Sequence, residues 1–374
     1  MLIKTFTFEP DELDRFISFQ YELYQHDKNW IPPLKVEAER MLQETYSFFT
    51  KGNLHCHFIA VEGKQVVGRI TALVNKKLVN PDGTPIGLIG FYESIDDISV
   101  SSALFSRAIE WLKKQGIKNI WGPVNFDIWH SYRLMTRGFS EKRFYGEPYN
   151  KPWYPNHFIN NGFTVKAEWD SVVITGRNTL LDMIRKGESR YKLLLDRGYR
   201  FETLQTVDYD KAIKKLTYIM SKSFGGFLGF TPILPYEIKQ LFQKAYYAIN
   251  PKMFLFTYNQ DNKLVGFALA LREIGEAVAA MRGKSTIISK VKFKHKLRKA
   301  DTINFYLGGA LPDEIKARSG LGRVGFYYII NQMLSEGYEK LLLPLRLKGN
   351  KVRALPGNLS PVPQREYALY ERFV

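Results

Sequence analysis

Three glycines and two arginines stand close together late in the chain, in the segment ARSGLGRVGFYYII at 317–330. Glycine lets the backbone turn tightly and approach a ligand closely. The apolar run that follows predicts a helix, whose first amides lack internal partners and carry the positive end of its dipole. This combination predicts a phosphate-binding loop, although solvated arginines beside an ordinary glycine turn would have the same composition. The residues of the predicted loop are Arg318, Ser319, Gly320, Leu321, Gly322 and Arg323.

A second cluster of chemically capable side chains lies in the segment NFDIWHSYRLMTRGF at 125–139. An aromatic cleft with a histidine that accepts a proton near neutral pH would suit an acceptor pocket. The same residues would also suit a packed aromatic corner with a hydrogen-bonded histidine. The pocket hypothesis names Trp129, His130, Tyr132 and Arg133.

Two further patterns concern RNA and metals. The segment SKVKFKHKLRK at 289–299 alternates apolar residues with lysines, which predicts a strand with one packed face and one cationic face. Such a lysine ridge would bind RNA phosphates or protect a sheet edge. His55 and His57 flank Cys56, but no second ligand pair follows at metal spacing, so we expect no metal site.

Composition limits the class of protein. The chain has 374 residues, of which 45% are hydrophobic and 14% aromatic, enough for two packed domains. A single cysteine, an N-terminus without a signal-peptide pattern and the lack of a long apolar stretch predict a cytoplasmic protein without a transmembrane segment. The net charge of +17 predicts an anionic partner.

The strands and helices that would position these candidate residues are predicted twice along the chain. The segment FIAVEGKQVVGRITALVN from Phe58 aligns without a gap with FTYNQDNKLVGFALALRE from Phe256, and each predicts a β-hairpin. A strand, a helix ending at glycine and another strand follow in each half. We therefore predict domains at 1–177 and 198–374, joined by a helix at 178–197 that begins with a capping-box pattern at Thr179.

The order of these elements, together with the segment SGLGRVG, resembles the GNAT superfamily, the Gcn5-related N-acyltransferases. The superfamily has Arg or Gln where this chain has Ala317, so the signature is incomplete. The segments 149–163 and 349–373 are similar to the superfamily's closing pattern, and nearly the whole chain resembles bacterial tandem-GNAT proteins. The resemblance implies an α/β (α+β) fold with two tandem GNAT-like units, each a mixed, mostly antiparallel sheet flanked by helices.

The resemblance also implies a chemistry. The co-substrate would be acetyl-CoA or another acyl-CoA, with its pyrophosphate on the glycine loop and its pantetheine arm along a splayed strand at 302–309. The acyl group would pass directly to an amine, often on a small molecule. Implied coenzyme contacts outside the loop are Leu307, Gly309 and the post-strand Asn350; implied proton-transfer groups are Glu273, with Glu276 as a neighbour, and Tyr367 and Tyr370.

The two halves differ at the loop. The first half has Glu93, Asp96 and Asp97 there and no glycine pair, so we predict that it has lost coenzyme binding because these carboxylates would repel phosphate. A coenzyme-A-dependent N-acyltransferase with a catalytic second half is the leading hypothesis. The alternatives are a Fem-type transferase that uses aminoacyl-tRNA, which the positive charge suits, and a ligand-binding homologue without catalysis.

Overall fold

A computed structural model describes residues 1–141, 143–244, 246–349 and 362–374. The chain packs as two units, each built from more than one stretch. Unit one comprises Met1–Trp169, Gly275–Arg298 and Arg365–Val374, and unit two comprises Asp170–Ile274 and Lys299–Gln364. This division differs from the domains predicted at 1–177 and 198–374, because two later segments pack into unit one.

The elements are numbered in chain order within the described ranges. The strands are β1 (Leu2–Phe6), β2 (Leu54–Glu62), β3 (Gln65–Val79), β4 (Pro85–Ser94), β5 (Asn119–Gly122), β6 (Leu134–Arg137), β7 (Thr164–Thr175), β8 (Arg200–Thr203), β9 (Ile249–Tyr258), β10 (Leu264–Arg272), β11 (Thr302–Ala310), β12 (Lys340–Leu347) and β13 (Arg365–Phe373). The helices are α1 (Pro10–Leu23), α2 (Lys35–Met41), α3 (Ser47–Thr50), α4 (Ile98–Lys114), α5 (Tyr154–Asn160), α6 (Arg177–Asp196), α7 (Tyr209–Ser223), α8 (Pro235–Lys244), α9 (Gly275–Ala279), α10 (Ile287–Leu297), α11 (Pro312–Lys316) and α12 (Leu321–Ser335). None of these helices combines the length and hydrophobicity that a bilayer crossing requires.

The sheet of unit one has the strand order β1-β2-β3-β4-β5-β13, and β6 also pairs with β13. β4 and β5 run parallel, whereas the other neighbours are antiparallel. α4 buries Leu104, Phe105 and Ala108 in the core cluster of this unit. β13, which comes late in the chain, therefore belongs to this sheet, with Tyr370 opposite Gly122.

The sheet of unit two has the order β7-β12-β11-β10-β9-β8, with β11 and β12 parallel. α12 buries Ile329, Ile330 and Met333 in the core of this unit. α6 approaches α12 closely at Gly187, where an added Cβ would lie 2.6 Å from Cβ of Tyr327. α6 is the helix predicted at 178–197, but it begins at Arg177 after Gly176, so the predicted cap at Thr179 is wrong.

The predicted order of hairpin, strand, helix and strand is present in both units, so the prediction of two similar α/β halves is confirmed. The prediction of a strand at 289–299 is wrong, because these residues form α10. Alternation of Val, Phe and Leu with Lys favoured a period of two. However, Thr286 caps a helix by accepting from the Ser289 amide, and the buried side chains, Ser289 and Phe293, are four residues apart.

Candidate active site

The strands β11 and β12 diverge in unit two. They pair over Thr302–Lys340, Ile303–Leu341 and Asn304–Leu342, and in the described residues the parallel pairing stops there. β11 continues to Ala310, still paired with β10 on its other side. β12 turns away toward β7, where the Leu345 amide donates to Ser171 Oγ at 2.9 Å. The expected splayed strand is present, and its part beyond the pairing with β12 includes the predicted coenzyme contacts Leu307 and Gly309.

The glycine loop follows this strand after one extra helix turn. α11 intervenes between β11 and the loop, a feature that the sequence did not predict. Arg318 and Gly320 then adopt left-handed backbone conformations, with φ of 52° and 85°, and α12 begins at Leu321. Glycine adopts this conformation with little cost, which explains its use at position 320.

The hydrogen bonds of the loop show which amides remain for a ligand. The Ser319 amide donates to the Glu314 carbonyl at 3.1 Å, and the Arg323 amide donates to the Gly320 carbonyl at 3.0 Å. These two predicted donors are therefore already used within the protein. Within the described ranges, the amides of Gly320, Leu321 and Gly322 have no protein acceptor, and Gly320 supplies no capping side chain. Three adjacent amides at the start of a 15-residue helix make a candidate anion site.

Two side-chain features complete this anion site. Arg190 of α6 lies over the loop, with its Nε 2.9 Å from the position that a Cβ on Gly320 would take. No signal in the sequence places Arg190 there, because the contact depends on how α6 packs against α12. A Cβ on Gly322 would meet nothing within 4 Å, so the space in front of this residue is open. The two arginines of the predicted loop, Arg318 and Arg323, are exposed.

The corresponding places in unit one are filled by the protein itself. The Asp97 carboxylate caps α4 by accepting from the Ser99 amide at 2.7 Å, and the hydrogen bonds from Ser99 lower the pKa of Asp97. At the end of the β4–β5 pairing, the Val124 amide donates to the Ile89 carbonyl at 2.8 Å, and the Phe91 amide donates to Asn125 Oδ1 at 2.7 Å. A ligand would have to displace these bonds.

Glu93 has a different role from the one predicted. Its carboxylate is buried instead of facing a phosphate site, which corrects the expected repulsion. It accepts hydrogen bonds from Tyr24 at 2.9 Å, Tyr154 at 2.7 Å and Gln20 at 2.7 Å, and lies 3.7 Å from Arg69. Burial raises the pKa of Glu93, and the Arg69 charge opposes that rise.

The predicted pocket in 125–139 contains a chain of three hydrogen-bonded groups, all in unit one. His130 Nδ1 lies 2.7 Å from Asp127 Oδ1, and His130 Nε2 lies 2.8 Å from the Tyr46 hydroxyl. A carboxylate accepts only, so it favours the tautomer with the proton on Nδ1 and leaves Nε2 to accept from Tyr46. Phe126 contacts the rings of Tyr46 and His130 and has a φ of 72°, a conformation uncommon for a bulky residue.

The other pocket residues form a neighbouring cluster. The Arg133 guanidinium lies 3.6 Å from the ring centre of Tyr132 and 4.4 Å from that of Trp169. Trp129 contributes its amide to Asp127 Oδ1 at 2.9 Å. Sequence reasoning missed Tyr46 and Trp169, which are distant in the chain. The spacing of Asp127 and His130 by three residues was a local signal that could have been noticed.

The remaining predicted groups belong to different units. Glu273 follows β10 in unit two, and its amide donates to the Thr302 carbonyl at 2.9 Å. Tyr367 and Tyr370 are buried in β13 of unit one, where burial raises the pKa of Tyr370 to about 12. Asn350 lies outside the described residues. The catalytic roles of these residues remain predictions.

Two curated proteins are similar to the chain in sequence, and no protein-family model matches it. Protein YghO of Escherichia coli strain K12 is 28% identical over 293 residues, which cover 75% of this chain and 71% of that protein. A bacterial ceramide synthase of Caulobacter vibrioides is 26% identical over 375 residues, which cover 97% of this chain and 95% of that protein.

Solved structures match the chain over nearly its whole length. A tandem GNAT protein from the clavulanic acid pathway has a TM-score of 0.53 at 9% identity, with 100% of this chain and 98% of that one covered. A probable N-acyltransferase from Enterococcus faecalis also has a TM-score of 0.53, at 12% identity, with 100% and 73% covered. A fungal multi-domain β-N-acetylglucosaminidase with a GCN5-related glucosamine N-acetyltransferase region has a TM-score of 0.56 at 12% identity; the match covers 99% of this chain and 38% of that one. The chain thus has the tandem GNAT fold, an architecture used by N-acyltransferases.

Proposed function

We propose that unit two binds an acyl-coenzyme A and that the protein transfers the acyl group to an amine. The observation that carries this proposal is the combination of a strand that diverges from its parallel neighbour with a helix terminus that no side chain caps. β11 diverges from β12 after Asn304, and the same strand leads to the amides of Gly320, Leu321 and Gly322. An extended amide-containing arm that ends in a diphosphate has the chemistry to occupy both.

The proposed reaction is direct aminolysis of the thioester. The amine nitrogen attacks the carbonyl carbon, and an oxyanion forms that backbone amides can stabilise. The carbon–sulfur bond then breaks, the amine loses a proton, and the coenzyme leaves as a thiol. The pantetheine arm would contact β11 at Leu307 and Gly309, beyond the pairing with β12. The diphosphate would be neutralised by Arg190, Arg318 and Arg323. Glu273 remains the proposed base, and Tyr367 and Tyr370 the proposed acids.

The acceptor is proposed only as a class. The name of the Caulobacter vibrioides relative refers to ceramide, which is a long-chain amino alcohol acylated on nitrogen. That product is an amide, as the proposed reaction requires. A panel of acceptors should therefore include a long-chain amino alcohol as well as small polar amines.

The direct test is binding and turnover with defined co-substrates. We expect acyl-CoA to raise the melting temperature and an amine in the panel to release free coenzyme A thiol. A ligand at 100 times its dissociation constant adds about 2.7 kcal/mol to stability. Acetyl-CoA and palmitoyl-CoA should be compared with charged tRNA. Stabilisation by charged tRNA alone would favour the Fem-type alternative, and acyl-CoA binding without thiol release for any amine would favour a binding protein.

As an alternative to Glu273, we propose that the predicted acceptor pocket acts through the relay of Tyr46, His130 and Asp127, which would accept the proton of the amine. The relay has the arrangement of a base oriented by a carboxylate and hydrogen-bonded to a hydroxyl. Asp127→Asn should lower kcat by about 100-fold or more, because the amide no longer holds the proton on Nδ1. The measurement is kcat and KM with the amine that the acceptor panel identifies, together with the melting temperature.

The control for this prediction is Tyr132→Phe, which changes the neighbouring cluster and leaves the relay intact. We expect its kcat to stay within about threefold of the wild type. If Asp127→Asn alters KM or the melting temperature while kcat is preserved, the three groups are a packed aromatic corner and the relay has no role in catalysis.

A further inference from the structure

The helix α10 belongs to a segment of unit one that the proposed transfer reaction does not use. The segment Gly275–Arg298 connects β10 to β11 along the chain and packs into unit one. It is held by the Lys35 amide, which donates to the Gly283 carbonyl at 3.1 Å. Within α10, Ser289 and Phe293 are buried, and Ser289 Oγ donates to the Lys284 carbonyl at 2.9 Å. One face of the helix is therefore fixed to unit one.

The opposite face of α10 carries large apolar side chains in solvent. Ile287, Ile288 and Val291 are 82%, 69% and 62% exposed. At roughly 100° of rotation per residue, these three lie within an arc of about 100°, opposite Ser289 and Phe293. Three exposed β-branched residues on one helix face mark an interaction site more often than isolated surface residues do.

Lysines border this apolar face on both sides. At the same helical rotation, Lys290 and Lys294 lie along one border, whereas Lys292 and Lys296 lie along the other. All four are exposed, and α10 contains no acidic residue. Lys296 lies 3.9 Å from Glu276, with both side chains about half exposed, so this pair is a weak one. The exposed His295 lies on the same arc one turn beyond Val291. The helix thus presents a short apolar strip, from Ile287 to Val291, that ends at a histidine and lies between two cationic rows.

We propose that α10 is an interfacial helix that docks unit one onto an anionic lipid bilayer. Ile287, Ile288 and Val291 enter the boundary between headgroups and acyl chains, and the four lysines contact anionic headgroups on either side. Charge complementarity selects an anionic surface over a neutral one. RNA would account for the lysines but leaves the apolar strip unexplained, because phosphate contacts need no exposed isoleucine.

The test is co-sedimentation of the full chain with vesicles. We expect binding to phosphatidylcholine vesicles containing about 30% phosphatidylglycerol and at least tenfold weaker binding to pure phosphatidylcholine. The triple change Ile287→Ser, Ile288→Ser and Val291→Ser should weaken binding to the anionic vesicles by about tenfold or more. The quadruple change of Lys290, Lys292, Lys294 and Lys296 to Gln should weaken it by about 100-fold.

Matched controls distinguish the effect of the α10 face on vesicle binding from the effect of the protein's net positive charge. The first control removes exposed apolar residues elsewhere on unit one and combines Val79→Ser, Ile159→Ser and Val165→Ser. The second control removes the same charge as the quadruple variant by changing Lys64, Lys113, Lys114 and Lys118 to Gln. Both control variants should bind vesicles within about twofold of the wild type. Melting curves establish that each variant folds.

Three results would overturn the membrane proposal: no binding of the wild type to anionic vesicles, unchanged binding of the Ile/Val triple variant, or equal losses in the controls. If single-stranded RNA binds tightly and only the lysine variant loses it, the surface is an RNA site instead. Acyl-CoA affinity should be the same in all these variants. Failure here would therefore leave the proposed coenzyme site unaffected.

Discussion

Replacing Gly322 by glutamate is expected to lower the affinity for acetyl-CoA by about 30-fold or more, which corresponds to about 2 kcal/mol. The new carboxylate would stand at the second position of α12, beside the amides that we assign to the diphosphate. Two unit charges about 4 Å apart repel by about 1 kcal/mol in water and by about 4 kcal/mol near a protein surface. The expected loss lies between these limits. Isothermal titration with acetyl-CoA measures it.

The substitution should not harm the fold. A Cβ at position 322 meets nothing within 4 Å, and the residue does not need a left-handed backbone. Glutamate is also a better helix former than glycine by roughly 1 kcal/mol and is favourable near a helix N-terminus. We therefore expect an equal or higher melting temperature, so that weaker binding cannot be attributed to unfolding.

Two controls make the prediction specific. Gly322→Gln adds the same bulk without charge, and its affinity should fall by no more than about threefold. Asp97→Asn changes the corresponding helix terminus in unit one and should leave acetyl-CoA affinity unchanged, because that terminus is capped from within. A tenfold loss in the Asp97 variant would assign the coenzyme to unit one. Unchanged affinity in Gly322→Glu would remove the coenzyme from the loop at 318–323.

The repeated architecture was predictable because short-range sequence patterns indicate each of its elements. The hairpins at Phe58 and Phe256 show β-branched residues on either side of short polar turns, and each following helix ends at glycine. These patterns depend on residues a few positions apart. The glycine loop was predictable for the same reason, whereas the short helix α11 before it was not.

Features that depend on long-range packing were not predictable. β13 pairs with β5, which lies about 250 residues earlier in the chain, and nothing in its own sequence selects that partner. Arg190 reaches Gly320 because Gly187 lets α6 approach α12. The alternation in α10 misled the prediction because Val291, Phe293 and Leu297 are separated by even numbers of residues, although Val291 is exposed and Phe293 is buried. A cap at Thr286 outweighed that pattern.

The largest effect on stability is expected from Arg69→Met in unit one. Arg69 and Glu93 have side chains only 5% and 7% exposed. Removing Arg69 leaves the Glu93 charge buried with only neutral hydrogen-bond donors to offset it. Such changes cost about 3 to 5 kcal/mol. Every one of the six tryptophans precedes residue 170 and lies in unit one. Tryptophan fluorescence during urea unfolding at pH 7.5 therefore reports the loss where it occurs.

The stability loss of Arg69→Met should depend on pH, and the pKa of Glu93 determines the direction of that dependence. Burial already raises the pKa of Glu93, and without Arg69 it should rise further. A carboxyl whose pKa is raised in the folded state destabilises the fold once it ionises, so its penalty is full above the folded pKa. The penalty disappears as the pH falls toward the unfolded value of about 4.3. The stability difference between Arg69→Met and the wild type should therefore shrink between pH 7.5 and pH 5.

A double variant distinguishes the charge from the lost packing. Arg69→Met combined with Glu93→Gln removes both charges and keeps an acceptor for Tyr24 and Tyr154, so we expect it to recover about 2 kcal/mol and lose the pH dependence. The bond from Arg69 Nη1 to the Phe16 carbonyl, 2.7 Å long, is absent from both variants and cancels in their comparison. If Arg69→Met lowers the free energy of unfolding by the same amount at every pH, the loss comes from that hydrogen bond to the backbone, and the ion pair contributes little. A deficit that grows toward pH 5 would contradict the burial of an ionised Glu93 altogether.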